Sequence, residues 1–238
     1  MVDHTVKAFD ADIGQLRGLI SQMGGLAEDA ITQAILALQR PDTALARRVD
    51  ADDKAIDAIE REVERLAVRI IALRAPMAVD LREVVAAMKI ASVVERIGDY
   101  AKNIARRVPM IEGAEGGAHR IEPISILPSM AAMASSMVRQ ALDAFAARDP
   151  DMAVRVVESD TALDDFYDSI FRTLVTYMVE NPRTISQVAH LLFVAKNLER
   201  IGDHATNVAE MVYFAATGTQ MADHHRGGPH SPSPEEQR

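Results

Sequence analysis

Val94–Ala105 reads VERIGDYAKNIA, and Leu198–Ala209 reads LERIGDHATNVA. Eight of the twelve positions are identical, and the two glutamates, Glu95 and Glu199, lie 104 residues apart. Other landmarks recur at nearly the same offset: Pro41 with Pro150, Asp53 with Asp160, Pro76 with Pro182, and Gln33–Leu38 with Gln140–Phe145. The small drift between offsets is what short insertions in one copy produce. Two copies make an internal duplication, not a solenoid array.

Within each copy proline divides the chain into three long segments. The predicted helices run over about 5–39, 42–74 and 77–108, then about 123–147, 150–180 and 183–216. The second is the clearest. Val49, Asp52, Ile56, Ile59, Val63, Leu66, Ile70 and Leu73 follow steps of three and four, which mark a bundle seam. No segment sustains the alternation of a strand. The predicted fold is therefore all-α: two homologous three-helix bundles of antiparallel, up-down helices. The first spans 1–108 and the second 123–217, joined by a linker at 109–122 and followed by a disordered, Gly- and Pro-rich tail at 218–238.

Composition narrows the function. Hydrophobic residues make up 48%, aromatics only 4%, and there is no Trp, so aliphatic side chains and Met must fill the core. The net charge of −9, with no Lys/Arg stripe interleaved with aromatics, argues against nucleic-acid binding. With no Cys, thiolate metal sites are excluded and any metal meets oxygen or imidazole. No run of eighteen apolar residues and no secretory leader is present, which predicts a soluble, cytoplasmic chain.

The repeated motif carries the chemistry. On the third helix the apolar stripe Leu81, Val85, Met88, Ser92 continues to Glu95 and Asp99. In the second copy Val188, Leu192, Ala195 continues to Glu199 and Asp203. Residues four apart share one side of a helix, so each pair is expected to face inward. Buried carboxylates need hydrogen bonds, protons or a cation. The adjacent Arg96 and Arg200 project about 100° away and are poor partners. The middle helices repeat the spacing with Asp53/Asp57 and Asp160/Asp164. Asp57 and Glu95 stand equally far from Pro76, and Asp164 and Glu199 nearly so from Pro182. Each bundle can therefore gather four carboxylates at one level, a donor set for a hard or borderline cation or several bridged ions. Asn103 and Asn207, one turn further, are candidates to orient the ligands. His190 and His204 read as packing or surface residues, because Tyr100 replaces His at the matching place.

ERIGDYAKNIA (Glu95–Ala105), KNLERIGDHATNVAE (Lys196–Glu210) and APMAVDLREV (Ala75–Val84) resemble the PhoU family of bacterial phosphate-signalling regulators, also known as accessory proteins of the phosphate-specific transport system. The resemblance covers roughly residues 4–216. It implies two similar bundles, a homodimer, and multinuclear clusters of divalent or trivalent metal, iron or zinc. Carried over by position, the ligands would be Asp53, Asp57, Glu95 and Asp99, and Asp160, Asp164, Glu199 and Asp203. It further implies a non-enzymatic adaptor between the phosphate ABC transporter, through its ATPase component, and a sensor histidine kinase. Such an adaptor limits phosphate uptake, keeps the starvation response off, and meets the membrane only through its partners. Two other readings stand beside it. A di-metal oxidase in a helical bundle usually needs Glu-x-x-His, but Gly98 and Gly202 occupy the His positions. A metal-free scaffold would satisfy its acids with Arg and Lys.

Overall fold

Asp42 and Asp149 each separate one long helix from the next. The Asp42 carboxylate accepts from the Leu45 N–H at 2.9 Å, and Asp149 accepts from Asp151 and Met152 at 2.9 and 3.0 Å. Each cap satisfies N–H groups that the first turn leaves open. The computed structural model describes residues 2–112 and 122–221, with side chains from Ala8 onward. Six long helices dominate: α1 (Val2–Gln39), α2 (Thr43–Arg74), α3 (Val79–Ala105), α5 (Leu127–Ala147), α6 (Pro150–Glu180) and α7 (Ile185–Thr217). A short α4 (Val108–Glu112) follows α3, and 3₁₀ turns at Glu122–Ile126 and Pro182–Thr184 lead into α5 and α7. Among the described residues there is no strand.

The helices form three layers. α1, α3, α7 and α5 pack as a central ring, α1 against α3, α3 against α7, α7 against α5 and α5 against α1. α2 lies outside on α1 and α3, and α6 outside on α5 and α7. Alanine makes the ring close-packed: Ala87, Ala91, Ala101 and Ala105 on α3, and Ala195, Ala205 and Ala209 on α7, are fully buried. Between them Ile90, Ile97, Ile104, Leu198 and Ile201 fill one continuous core. Burying each such side chain contributes roughly 1.5–3 kcal/mol.

Three sequence expectations need correction. On α2 the inward residue is Asp53, not Asp52, which is exposed, and Leu73 is 70% exposed near the helix end. On α3 the Leu81–Val85–Ser92 stripe is a flank. Leu81, Val85 and Ser92 are exposed, and the deep face runs through Val84, Ala87, Ala91, Val94 and Ala101. The reason is that α3 touches α1, α2 and α7, so its buried face is broad and centred away from that stripe. Finally, the helix expected to reach 108 stops at Ala105. The Arg107 N–H bonds Ile104 O at 3.0 Å, and the chain restarts as α4 at Val108 and runs into the expected linker. Pro109 sits in the first turn of α4, where its missing N–H costs nothing. Most of the expected linker (113–121) and of the expected tail (222–238) falls outside the described residues.

Candidate metal centres

The acids line the two outer seams, α2 against α3 and α6 against α7. On α2, Asp53 holds a core position between Val49 and Ile56 and is only 7% exposed. Gly98 opposite makes room for it: a Cβ there would stand 3.1 Å from Asp53 Oδ1 and 2.8 Å from Ile56 Cδ1. One turn beyond Gly98, the Lys102 ammonium lies between Asp53 Oδ2 and Asp99 Oδ1 and pairs with both. Burial works against the lysine's charge, but the hydrogen bonds and negative charge of Asp53 and Asp99 outweigh it and hold its pKa above the usual value. Glu95 is half-buried beside them. Burial first, then Asp99, Glu60, Asp57 and Asp53, push it up to about 7. Glu60, which shares the α2 face with Asp53 and Asp57, is also raised, by burial and then by Glu64. It joins this seam although the sequence pattern did not single it out.

The α6–α7 seam repeats the acids with different surroundings. Asp160 and Asp164 on α6 and Asp203 on α7 each place an oxygen within 4.8 Å of the others, which no other acid or His group does among the described residues. Asp160 is pushed up to about 7, by burial and then by Asp164, Asp203, Glu199 and Glu210. Asp164 is raised by burial and by Glu199. Glu199 accepts from Lys196 Nζ through Oε1 at 2.5 Å. Its Oε2 is buried with no hydrogen-bond partner, and so is Asp160 Oδ1. Desolvated carboxylate oxygens without a donor are costly, and a cation removes the cost. This donor set, all oxygen and partly open to solvent, fits a hard or borderline metal ion.

Of the eight acids expected as ligands, the structure thus brings Asp53, Asp57, Glu95 and Asp99 to one seam and Asp160, Asp164, Glu199 and Asp203 to the other. Of the asparagines expected to orient the ligands, Asn103 is half-buried on α3, and Asn207 Nδ2 lies 3.3 Å from His204 Nδ1 of the same helix. Arg200 places its guanidinium over the Tyr100 ring, 5.9 Å from the centroid. Lys102 went unnoticed in the sequence. The signal for it was present, since it is three residues after Asp99 and so on the same face, at one of the four places where the repeated motifs differ.

Comparison with known proteins agrees with this architecture. The PhoU domain profile matches twice, at residues 20–108 and 127–212. A Zymomonas mobilis protein named phosphate-specific transport system accessory protein PhoU homolog is 56% identical over 226 residues, 95% of this chain and 94% of its own. The crystal structure of PhoU from Pseudomonas aeruginosa superposes with a TM-score of 0.82 at 39% identity, covering 89% of this chain and all of that one. That of the phosphate transport system regulatory protein PhoU from Streptococcus pneumoniae gives 0.81 at 26% identity, covering 90% and 99%. The family is one of regulatory accessory proteins, not enzymes. With two matched domains, a shared fold and relatives of this identity along nearly its whole length, the chain belongs to the PhoU family.

Proposed function

We propose that this protein is a metal-binding negative regulator of phosphate uptake and of the phosphate-starvation two-component response. It links the ATPase component of the phosphate ABC transporter to the sensor histidine kinase, works as a homodimer in the cytoplasm, and meets the membrane through its partners. The duplicated acid motif in a chain aligned end to end with transport-system accessory proteins carries this reading. Among the described residues no helix is long and apolar enough to cross a membrane, which suits a peripheral adaptor. Metal bound by the acids would be iron or zinc. The ligands are Asp160, Asp164, Glu199 and Asp203 in the α6–α7 seam, and the counterpart set is Asp53, Asp57, Glu95 and Asp99. The ion would offset the carboxylate charge there and tie α6 to α7.

A deletion strain tests the reading. The expected result is starvation genes expressed in rich phosphate together with unrestrained uptake, both reversed by the intact gene. Starvation genes that stay repressed, with uptake unchanged, would sink it. Complementation by a D160N/E199Q double variant asks whether the metal matters, and full rescue would remove metal from the regulatory role.

A further inference from the structure

We propose that the two acid clusters are unequal: Lys102 closes the α2–α3 cluster as a tethered cation, and metal loads only the α6–α7 cluster. This rests on the metal-binding reading above and narrows it to one half of the molecule.

The two motifs align without a gap, so each residue of α3 has a counterpart on α7. Lys102 corresponds to Thr206. Lys102 is 17% exposed and joins Asp53 of α2 to Asp99 of α3, which is the bridging job a metal ion would do between two helices. Thr206 carries no charge. Its hydroxyl donates to the Asp203 backbone carbonyl at 2.7 Å, back into its own helix. The α6–α7 seam does have a lysine, Lys196, but it sits elsewhere. It is 43% exposed, lies over the Tyr167 ring at 5.1 Å, and holds Glu199 of its own helix from the rim. It leaves Glu199 Oε2 and Asp160 Oδ1 buried and without partners, whereas among the described residues no acid of the α2–α3 seam has such an atom.

An ammonium is a compact point charge with three donors and no acceptor, so it satisfies carboxylates and repels a metal ion entering beside it. To load the first cluster, a metal must displace Lys102 from both of its acids and leave a buried stem without its ion pair. To load the second, it meets Glu199 Oε2 and Asp160 Oδ1, which are already desolvated and unpaired, beside the exposed Asp164 and Asp203. Preorganisation therefore favours α6–α7.

Zinc counted by native mass spectrometry on the folded full chain tests this, with helix content and Tm as checks on folding. The wild type should carry a zinc load that D160N/E199Q removes and D53N/D99N leaves intact. K102T should roughly double the load and show a larger zinc-dependent rise in Tm than the wild type. K102Q, which keeps most of the aliphatic stem without the charge, should do the same if K102T folds poorly. T206K should abolish the load. If D53N/D99N removes about half of the wild-type zinc, or if folded K102T and K102Q bind no more than the wild type, the inequality is wrong although metal binding stands. If no variant holds zinc at all, the metal reading itself fails and this inference falls with it.

Discussion

Tyr100 and His204 stack on one another across the α3–α7 contact, with ring centroids 5.3 Å apart and planes 19° from parallel. They are the same position in the two copies of the motif. Tyr100 OH and His204 Nε2 are 3.2 Å apart. Asn207 Nδ2 donates to Nδ1 of the same ring, so Nε2 carries the proton and donates it to the tyrosine oxygen. Each ring immediately follows an acid of its cluster, Asp99 or Asp203.

The first prediction concerns that pair. Tyr100→Phe keeps the stack but leaves the half-buried His204 N–H without an acceptor, and is expected to cost roughly 1–2 kcal/mol. Tyr100→Phe with His204→Phe removes both partners and should be less destabilising than the sum of the single changes. Urea unfolding of the four proteins measures the coupling, and strictly additive effects would show that the contact is not a hydrogen bond.

Gly202 is the second. Its missing Cβ is where Leu163 Cδ2 packs, and because Leu163 is fully buried it must shift within the core to admit one. Alanine is ordinarily better than glycine in a helix by about 1 kcal/mol, yet Gly202→Ala should destabilise by roughly 1–2 kcal/mol through overpacking. Gly25→Ala on α1, where an added Cβ meets nothing within 4 Å, is the control and should stabilise. If Gly202→Ala also stabilises, the close approach of α6 to α7 is not what fixes this glycine.

The contrast between these glycines shows what sequence can and cannot reveal here. The long helices are legible because Pro41 and Pro150 stand near their starts and apolar residues recur at three and four. The inward acid on α2 was misread by one position, Asp52 for Asp53. Both continue a rhythm of three and four after Val49, and only the contact with Gly98 decides between them. The broad buried face of α3 was hidden because alanine contributes little to a hydrophobic pattern but permits close packing on three sides. Four of the acids were placed opposite the other four by counting from the prolines. Lys102 is a difference between the copies, so the identities that reveal the repeat do not point to it. Asn207 meets His204, three residues earlier on its own helix, and His204 in turn stacks on Tyr100 of the other half, a contact that no local pattern encodes.

Glu83 gives a third prediction. It is 4% exposed on α3, accepts from Arg17 Nε of α1 at 2.6 Å, and pairs with Arg148 at the end of α5. It therefore ties the two halves together. Glu83→Gln leaves two guanidinium groups facing a neutral amide and should cost roughly 2–4 kcal/mol, less than a fully buried pair because Arg148 is half-exposed. Arg148 has φ 54°, the left-handed region. Arg148→Gly loses one ion pair but relieves about 1 kcal/mol of backbone cost, so it should be milder than Glu83→Gln. Denaturant unfolding ranks the two, and the reverse order would place the main contribution at Arg148.

The last prediction is the pH dependence of the metal-free protein. Burial first, and neighbouring acids second, lift Asp160 and Glu95 to about 7. In the unfolded chain such groups titrate near 4. Between about 4 and 7 the folded state therefore holds more protons than the unfolded one, and stability falls as pH rises through that window. His190 and His204 act in the opposite sense. Burial, then Arg107 for His190 and Arg96 and Arg200 for His204, lowers their pKa, so the folded state binds fewer protons there and stability rises with pH. The net slope mixes both, and the informative quantity is a difference. Asp160→Asn has no carboxylate to ionise. In chelator its Tm relative to wild type should be lowest near pH 5, climb to about pH 7 and level off above it, as the wild type comes to bear a desolvated charge that the variant lacks. Adding zinc should reverse the advantage, because metal takes the ionised carboxylate and its affinity grows as protons leave. A Tm difference that stays flat from pH 5 to 8 would mean that Asp160 ionises in the folded protein as easily as in water, and the strain ascribed to this cluster would not exist.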